Sequence, residues 1–212
     1  MSPAAVPTTM SLVDVEGRQT GPSMTVPRGT GTVVADGTGN VVAIGDTGAY
    51  LVRPTATRQI THGSIIAVGP SRFLVRDCEK VATCPPIVID RATGARHGIK
   101  DSPVLVGGGT VGAISPDGKV AAVVGGGPET GDPATRVHLV DLATGTDREL
   151  DVPLGDFTDP GMIVWSPDSR WLFIVGNLGV LYAVDATSGH TTDFGVLVPP
   201  VSLLAIRNAT GA

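Results

Sequence analysis

The sequence is poor in charged and aromatic residues, which excludes several classes of protein. Only 17% of its 212 residues are charged and only 4% are aromatic. The formal net charge is −5 and Lys and Arg form no cluster, so the concentrated basic face that nucleic-acid binding requires is absent. No stretch approaches the ~18 consecutive apolar residues of a transmembrane helix, so no membrane span is predicted.

The sequence is rich instead in residues that form turns and strands. It contains 29 Gly and 17 Pro, and 42% of its residues are apolar. Val and Ile recur in short runs that Gly, Pro, Asp and Asn interrupt, which is typical of many short strands joined by tight turns. Residues 1–10 have neither a basic segment nor an apolar core, so they are not a secretory signal, and we expect a disordered N-terminal extension there.

One turn signature, Asp-x-x-Thr/Ser-Gly, occurs three times, each time directly after a short apolar strand. Its aspartates are spaced 51 and 44 residues apart, close to the roughly 40–50 residues of a four-stranded propeller blade. The carboxylate can accept hydrogen bonds from N–H groups two or three residues later, and the closing Gly can adopt positive φ. The copies lie at 90–94, 141–145 and 185–189.

A second turn signature precedes each copy of the first. The first copy along the chain is Gly-Pro-Ser and the other two are Ser-Pro-Asp, and an apolar strand follows each copy. Pro pre-sets φ for a turn and Asp or Ser can bond the following backbone, so each copy predicts a tight hairpin. The adjoining strands are apolar on both faces, as a sheet packed between two others requires. The copies begin at Gly69, Ser115 and Ser166.

These repeats predict an all-β fold, a β-propeller of four-stranded antiparallel blades, over residues 11–206, with a disordered tail at 207–212. Two further segments, a hairpin-like head (11–20) and a strand-like tail segment (201–206), can combine into a composite blade that closes the ring. The alternative is a partial propeller, whose terminal blades expose apolar faces. The predicted blades are a degenerate one at 30–60 and clear ones at 63–100, 109–151 and 161–197.

Two segments of the third predicted blade carry a family resemblance. Ser-Pro-Asp-Gly-Lys-Val-Ala-Ala-Val at 115–123 and Val-His-Leu-Val-Asp-Leu-Ala-Thr-Gly at 137–145 resemble the repeat of TolB-like and other WD-repeat-like β-propellers. Residues 181–189 are also similar to quinoprotein-dehydrogenase-like repeats. The resemblance implies the fold but no activity, because such propellers host unrelated functions. The Trp that follows the turn in quinoprotein-type repeats is missing, so no cofactor is predicted.

The turn signatures also predict where a ligand binds. With the strands of each blade named A to D, the A–B and C–D turns lie on one rim, and the B–C and D–A connections lie on the other. The second rim carries the irregular segments, where function usually lies, so we expect an unknown protein or small ligand to bind there. Its Asp-Pro motifs are ordinary turn chemistry, so no metal is predicted. The candidate binding residues are Glu129, Asp132, Asp156, Phe157 and Asp159.

The two cysteines, Cys78 and Cys84, flank a five-residue loop between two predicted strands. Facing residues in an antiparallel pair have Cα atoms ~4.5 Å apart, within the range of a disulfide, and we predict one here. A structural disulfide implies an oxidising compartment, so the predicted location is extracytoplasmic. Two free thiols in a cytoplasmic protein are the alternative.

No group of residues indicates a catalytic site. The four histidines share no metal-ligand spacing, and none lies near a Ser or Cys nucleophile in sequence. The sequence therefore favours a non-catalytic binding or protein-interaction module, for example the extracytoplasmic sensor part of an envelope protein. One alternative is a propeller-type enzyme, such as a hydrolase, a lyase or a quinoprotein. The other is a truncated fragment without independent function.

Overall fold

A computed structural model describes residues 9–11, 13–14, 16–77, 86–99, 105, 112–125, 136–152, 154 and 162–198. Most of these residues lie in strands, and four antiparallel groups of four strands follow one another along the chain. We number these groups blades I to IV. The predicted fold class, four-stranded antiparallel propeller blades, is confirmed.

The strands follow chain order within every blade. A short ribbon of β1 (Thr9–Met10) and β2 (Met24–Thr25) precedes the blades. Blade I comprises β3 (Thr30–Ala35), β4 (Val41–Gly45), β5 (Gly48–Arg53) and β6 (Ala56–Thr61). Blade II comprises β7 (Ser64–Val68), β8 (Arg72–Arg76), β9 (Pro86–Asp90) and β10 (Arg96–Gly98). Blade III comprises β11 (Gly112–Ile114), β12 (Val120–Gly125), β13 (Arg136–Asp141) and β14 (Asp147–Leu150). Blade IV comprises β15 (Ile163–Trp165), β16 (Trp171–Val175), β17 (Val180–Asp185) and β18 (Thr191–Leu197), with a 3-10 turn at Asn177–Gly179.

Blade I is a complete blade of four strands, although its sequence predicted a degenerate one. Its fourth strand, β6, pairs with β5 across a two-residue turn, with Arg53 opposite Ala56. This turn contains no Asp-x-x-Thr/Ser-Gly signature, so the repeat pattern did not mark the strand that follows it.

The head forms a hairpin, as its sequence predicted. Val13 bridges Gln19, and the Oδ1 atom of Asp14 accepts hydrogen bonds from the N–H groups of Glu16 and Arg18. The ribbon of β1 and β2 extends this hairpin, so Thr9 and Met10 are strand residues although the sequence placed them in the N-terminal extension. Met24 on β2 is buried against blade I, in a cluster with Val41, Ala43 and Val52. The tail segment 201–206 lies outside the described residues.

The predicted chemistry of the C–D turns is present in blades II to IV. In blade III, the Oδ1 atom of Asp141 accepts hydrogen bonds from the N–H groups of Ala143 at 2.9 Å and Thr144 at 2.8 Å. Gly145 donates its N–H to the carbonyl of Asp141 and has φ +78°, a conformation that a side chain would disfavour. The same bonds recur around Asp90 and Asp185.

The A–B turns close in an equally local way. In blade III the Ser115 hydroxyl donates to Asp117 and accepts the N–H of Val120. Ser166 makes the same two bonds in blade IV, to Asp168 and from Trp171. Each hairpin is therefore stabilised by side chains within six consecutive residues, which explains why a short motif identified it.

Apolar layers lie between successive blades. Leu51 of blade I and Phe73 of blade II share one cluster, and Leu74 of blade II and Val123 of blade III share the next. Val137 of blade III and Leu172 of blade IV belong to a third. Blades II and III thus bury both of their faces, which is why their strands are apolar on both sides.

Polar contacts reinforce these layers. Strands A of blades II and III pair in parallel, with Ala113 opposite Val68. The indole Nε1 of Trp165 on β15 donates to the carbonyl of Ala113 at 2.9 Å, which connects strand A of blade IV to that of blade III.

A buried ion pair joins blades I and II. The Nη2 atom of Arg91 lies 2.5 Å from the Oδ2 atom of Asp36, and the two side chains are 8% and 0% exposed. Arg91 also donates to the carbonyl of Gly69 and stacks over the ring of Phe73. Burial on its own raises the pKa of Asp36, but donors on Thr38 and the Arg91 guanidinium outweigh this effect, and the pKa lies below its usual 3.8.

We predict that Asp141→Ala destabilises the protein by about 1–2 kcal/mol, because two backbone N–H groups lose their acceptor. Urea unfolding followed by circular dichroism measures this difference. Asp151→Ala is the matched control, because Asp151 is an exposed aspartate just beyond the end of β14. Equal unfolding midpoints for the two variants would contradict a structural role for the turn aspartate.

We predict that Asp36 makes the folded state sensitive to acid. Its folded pKa lies below that of the unfolded chain, so its contribution to stability is present above the ordinary value of 3.8 and is lost as the pH falls through the folded value. Free energies of unfolding measured between pH 7 and pH values below 4 should therefore fall less steeply for Asp36→Asn than for the wild type. An identical decline in the two proteins would show that Asp36 is not responsible.

Candidate functional site

The antiparallel strands divide the connections between two rims. The turn rim carries the A–B and C–D turns, and the loop rim carries the B–C and D–A connections. The strand bounds place these short segments on the turn rim: 36–40, 54–55, 69–71, 91–95, 115–119, 142–146, 166–170 and 186–190. They place these segments on the loop rim: 46–47, 62–63, 77–85, 99–111, 126–135, 151–162 and 176–179. All four of the long connections therefore meet on the loop rim.

The carboxylates of the C–D turns in blades II to IV accept hydrogen bonds from their own turns. Donation by the Thr93 N–H lowers the pKa of Asp90, and donation by the Thr144 N–H lowers the pKa of Asp141. Asp185 has a lowered pKa for the same reason, with the Ser188 N–H as its main donor. A general acid at neutral pH needs a raised pKa, so these aspartates are unsuited to acid catalysis.

The arginines of the turn rim connect neighbouring blades. Arg72 of blade II donates to the carbonyl of Gly118 in blade III at 2.9 Å. Arg148 of blade III donates to the carbonyls of Ala186 at 2.6 Å and Thr187 at 3.1 Å in blade IV. These cations and carbonyls therefore already have partners within the protein. A ligand that bound them would have to displace those partners.

The histidines also engage groups within the protein. The Nδ1 atom of His138 lies 3.0 Å from the Oδ2 atom of Asp147, and the Nε2 atom of His97 lies 3.4 Å from the Leu142 carbonyl. Over the described ranges, no three His, Cys, Asp or Glu side chains come close enough together to hold a metal ion. No helix in the described parts of the chain has the length and apolar character needed to cross a membrane.

The loop rim is where the predicted binding residues belong in the chain, but they lie outside the described residues. The described strand ends still locate the segments that contain them. Glu129 and Asp132 belong to the B–C connection that leaves β12 and enters β13, and Asp156, Phe157 and Asp159 belong to the D–A connection from β14 to β15. Cys78 and Cys84 also lie outside the described residues, in the B–C connection of blade II.

Described residues at the loop rim include contacts that the sequence reasoning missed. Arg76, at the end of β8, donates to the carbonyl of Leu105, which is buried at 1% exposure within the connection from β10 to β11. Asp77 forms an ion pair with Arg96 on β10. The first contact holds the D–A connection against blade II, and the second joins the start of the B–C connection to strand D. No sequence motif marks them, because the partners come from separate strands and loops.

Comparison with known proteins yields structural but no sequence matches. No protein-family model matches the chain, and no curated protein matches it. The tricorn protease superposes with a TM-score of 0.51 at 12% identity, covering 73% of this chain and 15% of the other. A protein assigned as TolB from Agrobacterium tumefaciens has a TM-score of 0.51 at 14% identity, covering 80% of this chain and 62% of the other. The Cps50 (Swd1) β-propeller domain of Myceliophteria thermophila has a TM-score of 0.48 at 14% identity, covering 79% of this chain and 57% of the other.

The chain thus spans less than two thirds of the length of each of these structures. At such low identities the likeness concerns the fold alone, and it agrees with the blade repeats and the layered packing described above. The chain has the β-propeller fold.

Proposed function

We propose that this protein is a non-catalytic binding module that recognises another protein through its loop rim. The observation that carries the proposal is the segregation of its connections. Within and between blades I to IV, every long connection joins strands at the loop rim, whereas the turn rim consists of short turns whose polar groups bond one another. Long, irregular loops on a rigid scaffold are where binding residues usually lie.

The proposed binding residues define the chemistry of the partner. Glu129, Asp132, Asp156 and Asp159 are acidic, and Phe157 supplies one aromatic side chain. Aromatic residues are enriched among interface anchors, and acidic residues at an interface favour a basic partner surface. We therefore propose a protein partner with a basic face that also contacts Phe157.

The enzyme alternative gains no support from the described residues. Catalytic carboxylates and histidines need a pKa and a geometry matched to proton transfer, whereas the turn aspartates have lowered pKa values and cap their own turns. His138 is oriented by Asp147, but neither residue lies beside a Ser or Cys side chain in the sequence.

The binding proposal predicts that changes in the loop rim abolish partner binding and leave the fold intact. Replacing residues 126–135 by a Gly-Ser linker of equal length should leave the melting temperature within a few degrees and abolish capture of the partner. The measurement is quantitative mass spectrometry after crosslinking of the tagged protein in its native cells. The triple variant Asp156→Asn, Phe157→Ser, Asp159→Asn tests the adjacent connection in the same way.

The control for this experiment lies on the opposite rim. Thr187→Ala changes an exposed side chain of the turn rim and should retain the wild-type set of captured proteins. If the loop variants capture the same proteins as the wild type, the loop rim is not the binding surface. If Thr187→Ala loses them, the turn rim is.

We also propose that Cys78 and Cys84 form a disulfide and that the protein is extracytoplasmic. Strands β8 and β9 are antiparallel, with Arg76 opposite Pro86. Cys78 and Cys84 each lie two residues beyond this last described pair in the sequence. Facing Cα atoms in such a ladder are about 4.5–5.5 Å apart, which a disulfide accepts.

The disulfide proposal predicts the absence of free thiols. Thiol titration of protein purified from its native cells, blocked on lysis and denatured without reductant, should detect no thiol before reduction and two after it. Two thiols before reduction would contradict both the disulfide and the oxidising compartment.

A further inference from the structure

Exposed apolar side chains are concentrated at one place in the described part of the chain. Five large apolar side chains are exposed there, and four of them belong to blade IV. We call these four, Leu178, Phe194, Val196 and Leu197, the apolar patch. The fifth, Val13, lies in the hairpin of the head. Because single exposed apolar residues are normal whereas clusters mark interaction sites, the apolar patch is a candidate binding surface.

The turn 177–179 and the end of β18 bring the apolar patch together at the loop rim. Val198 donates its N–H to the carbonyl of Gly179 at 2.8 Å. Leu178 and Leu197 directly precede these two bonded residues, so their backbones are adjacent. The other two members lie one and three residues before Leu197 on β18. The apolar patch is therefore continuous, and it borders the loop rim.

Strand D of the other blades carries no comparable residues. Its exposed positions are 56–58 in β6, 96–98 in β10 and 147–149 in β14, and none of these is Leu, Ile, Val or Phe. Charged residues occupy several of them, which protects the edge of a sheet. Their charged members are Arg58, Arg96, Asp147, Arg148 and Glu149. Apolar exposure is therefore specific to β18 and is not a general feature of the outer strands.

The backbone holds Leu178 in a conformation that leucine rarely adopts. Its φ of 59° and ψ of 15° lie in the left-handed region, and its side chain is 86% exposed. The equivalent turn of blade I contains the polar residues Asp46 and Thr47 instead. A strained leucine that contributes nothing to the core points to a role in binding, because such strain clusters at functional sites.

A β-bulge positions the remaining members of the apolar patch. Tyr182 pairs with Asp193 and Val180 with Leu197, so one residue of β17 faces three residues of β18. The Oδ1 atom of Asp193 accepts the N–H of Gly195 at 2.6 Å, and Gly195 has φ +62°. The local sequence Asp-Phe-Gly therefore builds the bulge. Bulges at sheet edges redirect side chains and interrupt regular strand pairing.

The charges near the apolar patch favour a basic protein over the other possible occupants. Residues 171–198 contain two aspartates and neither Lys nor Arg, and Asp193 is exposed beside Phe194. Binding to an anionic lipid surface relies on Lys and Arg around the apolar residues, which this segment lacks. A second copy related by a two-fold axis would bring two Asp193 carboxylates together, at a strand edge that the bulge interrupts.

We propose that the apolar patch binds a protein partner whose basic surface contains an apolar pocket for Leu178. Side chains that fill a pocket of the partner supply most of the binding energy at protein interfaces, and Leu178 is the most exposed member of the patch. Asp193 then faces the basic residues around that pocket. The inference rests on the proposed function, because it concerns the same partner and adds a described surface to its binding site.

Photo-crosslinking in native cells tests the proposal. Phe194→p-benzoylphenylalanine places a photo-reactive aromatic group within the apolar patch, and mass spectrometry identifies the crosslinked peptide. A peptide of another protein that contains Lys or Arg beside apolar residues supports the proposal. A crosslink to a lipid, to a second copy, within the chain or to a peptide without Lys or Arg overturns it, and so does the absence of any crosslink.

A matched pair of variants tests the role of Leu178. Leu178→Asn removes the apolar side chain, and because Asn tolerates the left-handed conformation, the melting temperature should stay the same or rise. In the photo-reactive protein this variant should lower the yield of the crosslink at least about tenfold. Val13→Asn removes the exposed apolar side chain of the head and should leave the yield unchanged. Equal yields in the two variants overturn the proposal.

The linker variant of residues 126–135 separates this inference from the proposed function. Loss of the crosslink in both this variant and Leu178→Asn is the expected result. A crosslink that survives the linker but not Leu178→Asn supports the apolar patch and contradicts the role of the long loop. A crosslink that survives Leu178→Asn but not the linker supports the loop and overturns the inference about the apolar patch.

Discussion

The stacking of apolar sheet faces between neighbouring blades is the constraint on which the rest of the structure depends. Phe73 and Leu74, adjacent on β8, enter two different clusters, one shared with blade I and the other with blade III. A strand that must pack on both sides cannot alternate between apolar and polar residues, so strands B and C are mostly apolar in their middles. Charged residues lie at strand ends, in turns and in strands D such as β14. The low charge content of the chain follows from this arrangement.

Because the strands contain few polar residues, the turns determine where each strand begins and ends. Asp141 illustrates this: one carboxylate collects two N–H groups of its own turn while Gly145 adopts positive φ. These interactions involve neighbours in sequence, and for that reason the hairpins of blades II to IV could be predicted. Blade I escaped full prediction because its C–D turn is closed by Pro54 and Thr55 without a capping carboxylate.

The contacts that hold blades together could not be predicted in the same way. Asp36 and Arg91 are 55 residues apart and belong to different kinds of turn, and Trp165 bonds a carbonyl 52 residues away. Their pairing depends on the angle between blades, which is a product of packing and has no local sequence signal. The candidate binding residues, such as Phe157, could be assigned to a rim from the strand order, but their contacts depend on a partner surface that the sequence does not contain.

The division between rims has a consequence for how substitutions affect stability. A substitution that removes a turn cap or an inter-blade bond of the turn rim, as at Asp36 or Arg148, alters the free energy of unfolding. A substitution in the segment 126–135 changes residues between two strands whose own register, from Gly125 opposite Arg136 onward, is set by the ladder. We therefore expect substitutions in this segment, to which the proposed function assigns part of the binding surface, to cost little stability.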